Sequence, residues 1–394
     1  MNIPAVEDIA VVGAGPYGLS IAAHLAEKGR RLRVFGTPME TWRKNMPAGM
    51  HLKSEGFAST LYDPRSQFRL SRYCKENGIA YADRGLPVAL ENFSEYGQEF
   101  ARRYVPMLEE RAVKAIRRNG SGFKLTLEDD QIVTVQQVIC AAGIARYAHL
   151  PPPFNELPGS IVSHCSAYHD LSGFAGKAVA VVGGGASAAD YAALLSEAGA
   201  TTHLLTRRDR LAFHNPPHRR GLRERLRYPF TTIGPGWDSV FYTQLPTVFH
   251  AMPSQRRIAI TGRHLGPAPC WFVRDTVEKN VSVHTSTKIT GVSVQDGKAV
   301  LTLDGANANS VTVDHIIAAT GYKIDLARLG ILDDTLRLDI RTDAAGSPIL
   351  SPRFESSVRG LYFVGATAAN SFGPVLRFAC GAEFAARRLA RHFQ

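Results

Sequence analysis

Ile9-Ala-Val-Val-Gly13-Ala-Gly15-Pro-Tyr-Gly18-Leu-Ser-Ile-Ala-Ala23 decides the first half of the chain, and Ala178-Val-Ala-Val-Val-Gly183-Gly-Gly185-Ala-Ser-Ala188-Ala-Asp-Tyr-Ala-Ala193 decides the second. Each is an apolar run that ends at glycines and reopens as an alanine-rich stretch. An apolar run closed by glycine reads as a buried strand, and the small-residue run after it reads as a helix packed closely on that strand. The small residues have separate tasks. Gly13 and Gly183 permit a tight turn, Gly15 and Gly185 let backbone approach a pyrophosphate, and Gly18 and Ala188 let helix and strand pack closely. The helix N-termini then face the phosphates. One such pattern alone is a weak signal. Two in full strand–turn–helix context predict two dinucleotides on one chain, with electrons passing from one nucleotide cofactor to the other.

The rest of the chain agrees with an α/β protein of two Rossmann-like dinucleotide-binding domains, each with a β-meander. Its 394 residues are 45% hydrophobic and 21% charged, ordinary for a globular protein of two or three domains. No apolar stretch is long enough to span a membrane, and no basic segment precedes the first apolar run as a secretory leader would require. The five cysteines (Cys74, Cys140, Cys165, Cys270, Cys380) show no CxxC or metal-like spacing, so the expectation is a reduced, cytoplasmic protein without a metal site or a dithiol site. The net charge of +11 is partly concentrated: eight arginines and two histidines lie between Arg207 and Arg227 against Asp209 and Glu224. That run is a solvated face or an attractor of an anionic cofactor or substrate. No nucleic-acid module accompanies it. Oligomeric state is not legible.

Strand, helix and strand are expected at 9–12, 17–28 and 33–35, followed by irregular and helical segments to 105. Short alternating strands at 123–127 and 132–135 read as a meander, and 138–143 as a further apolar strand. The prolines at 151–153 mark a linker. These patterns divide the chain into a first part of one dinucleotide-binding domain (1–150), a second dinucleotide-binding domain (151–315) carrying an irregular basic insertion at about 209–273, and a C-terminal part of the first domain (316–394). Strands at 281–285, 289–294 and 299–303 form a second meander, which 315–322 closes. A last strand at 360–365 precedes a helix from about Gly373 to His392.

This plan resembles the two-dinucleotide flavoproteins and, among them, the single-component class B flavin monooxygenases. Met50-His-Leu-Lys53-Ser54, with Asp63-Pro-Arg-Ser-Gln-Phe68 and Tyr73, is similar to lysine and ornithine N-hydroxylases. Ala319-Thr320-Gly321-Tyr322 also occurs in that group. Val34-Phe-Gly-Thr-Pro-Met-Glu-Thr-Trp42, with 49–59, looks closer still to bacterial FAD-dependent urate hydroxylases. The resemblance implies FAD at the first fingerprint and NAD(P)H at the second. It places Gly13, Gly15 and Gly18 around the FAD pyrophosphate, Trp42 near the flavin, and backbone of Val113 at the adenine. Gly143, Gly365 and Ala366 would lie along the flavin, toward which a helix from Gly373 would aim its positive end.

Departures from the family pattern matter. Where an acid about 20 residues past the first fingerprint would hold ribose hydroxyls, this chain has Gly36, which leaves backbone or Glu40 for that task. Ala366 stands where many relatives carry Asp. The monooxygenase linker signature F-x-G-x-x-x-H-x-x-x-Y appears as Leu157-Pro-Gly159-Ser-Ile-Val-Ser-His164-Cys-Ser-Ala-Tyr168, with the Phe replaced and one residue inserted. His164 is either part of that degenerate signature or an ordinary hydrogen-bonded linker histidine. Arg207 and Arg208 follow the second strand of the second domain, where arginine accommodates the 2′-phosphate of NADPH, while Asp209 keeps NADH open.

Three functions fit. In the first, NAD(P)H reduces FAD, O2 adds at flavin C4a, and one oxygen atom passes to a small polar, nitrogen-containing substrate, with urate hydroxylation as its narrower form. Lys53 is then the candidate for contact with the substrate's acidic group, as the matching lysine is in the N-hydroxylases, against the alternative of a surface lysine. Asn370, and Ser371 beside it, are candidates to reach flavin or substrate. The second function is a reductase or NAD(P)H oxidase without oxygen transfer. The third is a flavin-bearing redox sensor or partner-docking protein whose basic insertion is the docking face.

Overall fold

The computed structural model describes residues 7–218, 220–264, 268–305 and 309–394. The apolar run of the first fingerprint becomes the strand Glu7–Val12, parallel to Leu32–Phe35 on one side and to Ile132–Cys140 on the other. Val11 faces Val34 and Ile139 in register, and Ile9 to Val11 are at most 1% exposed. Leu108–Glu109 extends the sheet beyond Leu32–Phe35, and Leu361–Phe363 of the tail also pairs parallel with Ile132–Cys140. The antiparallel strands Gly122–Leu127 and Val113–Asn119 complete a seven-stranded sheet.

The stretches 132–135 and 138–143, expected as two strands, fall in one strand of nine residues, Ile132–Cys140, which stops short of 141–143. Its first half alternates exposed and buried residues because the meander covers one face, while Val138, Ile139 and Cys140 are all buried between parallel neighbours. The change of pattern marks a change of surroundings, not a break.

The second sheet is parallel and five-stranded, in the order Ser282–His284, Thr201–Leu205, Ala178–Val182, His315–Ala318, Val162–His164. The second meander is a separate antiparallel sheet of Lys288–Gln295, Lys298–Asp304 and Ser310–Val313. Ala299, Leu301, Leu303, Val311 and Val313 of that sheet share a core with Ala180, Ile316 and Ala318. The strand at 315 therefore does not close the meander. It enters the parallel sheet with all four residues buried, so this domain extends through Ala318 and the expected boundary at 315 falls one strand early.

Two further expectations are corrected. The insertion at 209–273 is irregular only in part: 209–218 carry no helix or strand, whereas Leu222–Arg227, Trp237–Gln244, Pro246–His250 and Ser254–Arg263 form short helices, with a small hairpin at Phe230–Thr231 and Gly234–Pro235. Its positions 219 and 265–267 lie outside the described residues. Pro246 and Pro253 separate the last three helices, each too short for its periodicity to be readable. The tail helix begins at Ala382, not Gly373. Gly373 adopts φ +100° and Pro374 follows, so 365–381 is a series of short turns.

Insertion and tail pack on each other. Phe249 is fully buried against Gly373, where an added Cβ would lie 3.3 Å from the Phe249 ring. His250 lies on the Phe372 ring at 4.9 Å and its Nε2 bonds the Leu350 carbonyl at 2.9 Å. Thr261 Oγ1 donates to the Ala369 carbonyl at 3.4 Å. Among the described residues no helix is long and apolar enough to cross a membrane, and no group of three or more His, Cys, Asp or Glu is placed to hold a metal ion.

Phe249→Ala is expected to lower unfolding stability by about 3–5 kcal/mol, the cost of deleting a fully buried aromatic side chain, in urea denaturation. A loss below about 1 kcal/mol, the range of surface changes, would show that the insertion does not dock on the tail as described.

Candidate functional site

The glycines of each fingerprint separate into crowded and open positions. A Cβ on Gly13 (φ +113°) would lie 2.2 Å from the Ala141 carbonyl oxygen, and one on Gly18 would lie 1.8 Å from that of Gly13. Gly36 approaches the same loop, 3.2 Å from Ala14 N by the same measure. These positions exclude side chains because backbone meets backbone. A Cβ on Gly15, by contrast, would meet only the Trp42 ring, at 3.8 Å. The second fingerprint repeats this. A Cβ on Gly183 would sit 2.5 Å from Ala319 O and 3.2 Å from the Ala188 methyl, whereas one on Gly185 meets nothing within 4 Å. Gly15 and Gly185 cap the helices Pro16–Glu27 and Ala186–Glu197 with no side-chain acceptor for the first N–H groups. Backbone donors with an open approach are the arrangement a pyrophosphate fits.

Around the first fingerprint the expected residues converge. Trp42 packs edge-on against Phe93 at 5.5 Å beside Gly15. Gly143 (φ +74°) follows the carboxyl end of Ile132–Cys140, 3.6 Å from Thr41 Oγ1 by its Cβ direction. Gly365 (φ +74°) lies 3.5 Å from the Tyr17 ring by the same measure, and Ala366 is half-buried in the turn after it. The Tyr17 hydroxyl, in the first turn of the fingerprint helix, donates toward the Leu376 and Phe378 carbonyls at 2.9 Å each and so ties the tail to the fingerprint. Gly36 N bonds the Glu109 carbonyl at 3.0 Å, and Val113 is buried four residues later opposite Leu127. Glu40 is exposed and pairs with Lys44.

At the second fingerprint, Arg207 and Arg208 are both exposed. Arg208 lies over Gly184, whose Cβ would come within 3.0 Å of Arg208 Cδ, and Thr206 Oγ1 holds the Arg208 backbone N–H at 3.2 Å. Arg208 is thus brought to the loop, while Arg207 stands at the strand end.

Three expected residues already have partners within the chain. Lys53 is not an open ammonium: its Nζ meets Asp190 Oδ1 at 2.6 Å and the His51 carbonyl at 3.1 Å, and lies 4.7 Å from the Phe272 ring. The two side chains are only 10% and 2% exposed, so the charge of Lys53 is already matched. Thr320 sits in the second interdomain linker, where its hydroxyl donates to the His149 carbonyl of the first. Asn370 turns its amide nitrogen to Asp343 Oδ2 (2.9 Å) and Ser347 Oγ (3.2 Å).

Asp190 is the residue sequence reading passed over. It is a lone acid inside an apolar fingerprint helix, and that oddity was the available signal. Burial pushes its carboxyl above the usual carboxylate range while Lys53 pulls it back, and its Oδ2 has no partner. The pair belongs to a seam between the domains. Asn45 Nδ2 donates to Ser166 O at 2.9 Å, Ala48 N to His169 O at 2.8 Å, and a Cβ on Gly49 would touch Leu194 at 3.5 Å. The two linkers are laced as well. Gly321 O accepts from His149 N at 3.1 Å and from His164 Nε2 at 2.9 Å, while His164 Nδ1 accepts from Ser166 N. Burial holds the His164 ring below the usual histidine range, which keeps Nδ1 an acceptor.

Removing one partner of the buried pair, by Lys53→Met or Asp190→Asn, is expected to cost about 3–5 kcal/mol in urea unfolding, and the double replacement Lys53→Met with Asp190→Leu to recover most of it. Additive losses in the double variant would contradict a matched pair.

Comparison with known proteins agrees with this geometry. The chain is 35% identical over 115 residues to the ferredoxin–NADP reductase of Gluconobacter oxydans, which covers 29% of this chain and 34% of that protein. It spans only about a third to a half of the length of the curated relatives it matches. Among solved structures, the cadaverine monooxygenase of the desferrioxamine pathway of Erwinia amylovora, bound to FAD, has a TM-score of 0.75 at 18% identity, covering 99% of this chain and 95% of that one. The ornithine N-hydroxylase of Kutzneria sp. 744, with reduced FAD, NADP+ and L-ornithine, has a TM-score of 0.75 at 15% identity, covering 98% and 99%. At such identities the likeness is one of fold. The family described as pyridine nucleotide-disulphide oxidoreductase matches residues 10–232, more than half of the chain, and the chain belongs to that family.

Proposed function

We propose that this oxidoreductase is an FAD-dependent, NADPH-using monooxygenase acting on a small polar, nitrogen-containing substrate. The observation that carries the reading is the pair of fingerprints with open Gly15 and Gly185 and uncapped helices, joined by a buried seam. FAD bound at the first fingerprint would supply an acceptor for the nicotinamide hydride and, once reduced, a reactant for dioxygen. Backbone of Gly15 and the helix behind it holds the pyrophosphate, Trp42 covers that loop, and Tyr17 fixes the turns at 365–378 beside it. Arg208 brings charge to the second loop, where a 2′-phosphate selects NADPH. Fold likeness to the monooxygenases named above supports oxygen transfer as the outcome.

The thiols favour this over the dithiol chemistry in the family's description. All five cysteines are buried and unpaired, and burial raises Cys140, Cys270 and Cys380 to about 11 and Cys165 to about 12. None is poised as a thiolate. Urate hydroxylation, the narrower form, rests on the sequence of 34–42 and 49–59 alone. A second reading, reduction of an acidic partner protein, is favoured by the ferredoxin–NADP reductase relatives and by the exposed Arg207, Arg208, Arg210, Arg223, Arg225 and Arg227.

The test is NADPH consumption by the FAD-loaded protein with and without amines, amino acids and urate, with peroxide measured alongside. A substrate is expected to replace peroxide release by hydroxylated product. Electron transfer to ferredoxin with no product from any candidate would move the assignment to the reductase. Replacing Arg207 and Arg208 together by Ala should lower kcat/KM for NADPH by roughly ten- to hundredfold, the worth of a charged hydrogen bond, and leave NADH nearly unchanged. An equal loss with both donors would contradict a 2′-phosphate contact.

A further inference from the structure

Asp190 neutralises Lys53, so Lys53 brings no spare charge to an anionic substrate. Two other cations stand at the turns between Gly365 and Arg377. Arg257, on the helix Ser254–Arg263, donates from Nη1 to Ser371 O at 3.2 Å. Arg377, which ends the turn Pro374–Arg377, donates from Nη1 to Thr261 O at 3.3 Å. Thr261 lies one helical turn beyond Arg257 and itself donates to Ala369 O, so helix and tail clasp each other with a guanidinium from each side. Both arginines are half-buried, and Arg257 Nε is buried without a partner. Burial works against both charges. Among the described residues neither has a carboxylate within ion-pair distance. Asp343, whose field reaches Arg257, spends its oxygens on Asn370 Nδ2 and on the backbone N–H groups of Ala345 and Ser347.

Desolvated guanidinium groups without an ion-pair partner are costly to hold in a fold. What compensates is a delocalised anion that accepts their planar, fork-like donors. The place is suited to substrate. The turns from Gly365 to Arg377 begin against Tyr17 of the first fingerprint helix, at the carboxyl end of Leu361–Phe363, where open α/β sheets bind their ligands.

We propose that Arg257 and Arg377 seat a carboxylate, or an equally delocalised monoanion, of the substrate, so that the molecule this chain oxidises is anionic as well as nitrogen-containing. This rests on the monooxygenase reading for the word substrate, but the seat itself can be tested without turnover.

The FAD-loaded full chain is titrated by calorimetry with L-lysine, benzoate and urate, and with cadaverine, which is L-lysine without its carboxylate. At least one of the three carboxylate or urate probes is expected to bind once per chain, and cadaverine not to bind. Arg257→Met and Arg377→Met should each weaken that binding by roughly ten- to hundredfold. Arg256→Met, at an exposed position of the same helix, should leave it unchanged. FAD content and melting temperature check that each variant is folded. If a methionine variant is not, Arg257→Lys and Arg377→Lys keep the charge, lose the fork, and should still weaken binding. The seat is overturned if none of the three probes binds the wild type, if cadaverine binds as well as L-lysine, or if binding survives both substitutions. Coupled oxygen transfer that ignores both arginines overturns the seat and leaves the monooxygenase reading. Arginine-dependent binding in a protein that never yields product does the reverse.

Discussion

A hydride passes only between groups in contact, so the two nucleotide-binding halves must be held at a fixed approach. The buried pair of Lys53 and Asp190 is the interaction on which that approach depends. Lys53 comes from the segment after the first fingerprint, and Asp190 from the helix that the second fingerprint opens. Joining them fixes one nucleotide helix relative to the other half of the molecule. The desolvation that makes such a pair expensive also makes it sensitive to separation. Around it, the contacts of Asn45, Ala48 and Gly49 extend the seam, and the Gly321 carbonyl laces the two linkers that cross between the domains.

Much of this was legible in the sequence wherever local pattern and tertiary surroundings coincide. The strands at 9–12 and 178–182 are buried on both faces, and their continuous apolar runs say so. The fingerprint glycines are legible because part of their crowding is local: the Gly13 carbonyl bars a Cβ at Gly18, and the Ala188 methyl lies against one at Gly183. Legibility fails where an element is defined by a distant partner. His315–Ala318 looks like a meander strand until its neighbour Ala178–Val182 is known. The helices of the insertion are too short to show a period, and what stabilises them is the tail more than a hundred residues on. From sequence Lys53 reads as a substrate contact or a surface lysine, because its partner Asp190 lies 137 residues away.

The distribution of matched and unmatched charge gives the site its character. The cation nearest the seam is paired, and its work is to hold the halves together. The cations between insertion and tail are unpaired, and they lie beside turns that the Tyr17 hydroxyl ties to the first fingerprint. The insertion thereby links the two halves of the molecule by a second route: it departs from the nucleotide domain after Thr201–Leu205 and packs on the tail of the other domain. The same fold carries different outcomes in different proteins, so the chemistry chosen here depends on these few side chains and not on the sheets that present them.

The central claim is that a nicotinamide held on the second fold reaches a flavin held on the first. Its most direct measurement is anaerobic mixing of the FAD-loaded protein with NADPH, protiated or deuterated at the transferred position, while the yellow flavin absorbance is followed. The account predicts that the absorbance is lost in a fast phase that deuteration slows. A flavin that stays oxidised with both NADPH and NADH at saturation would contradict it.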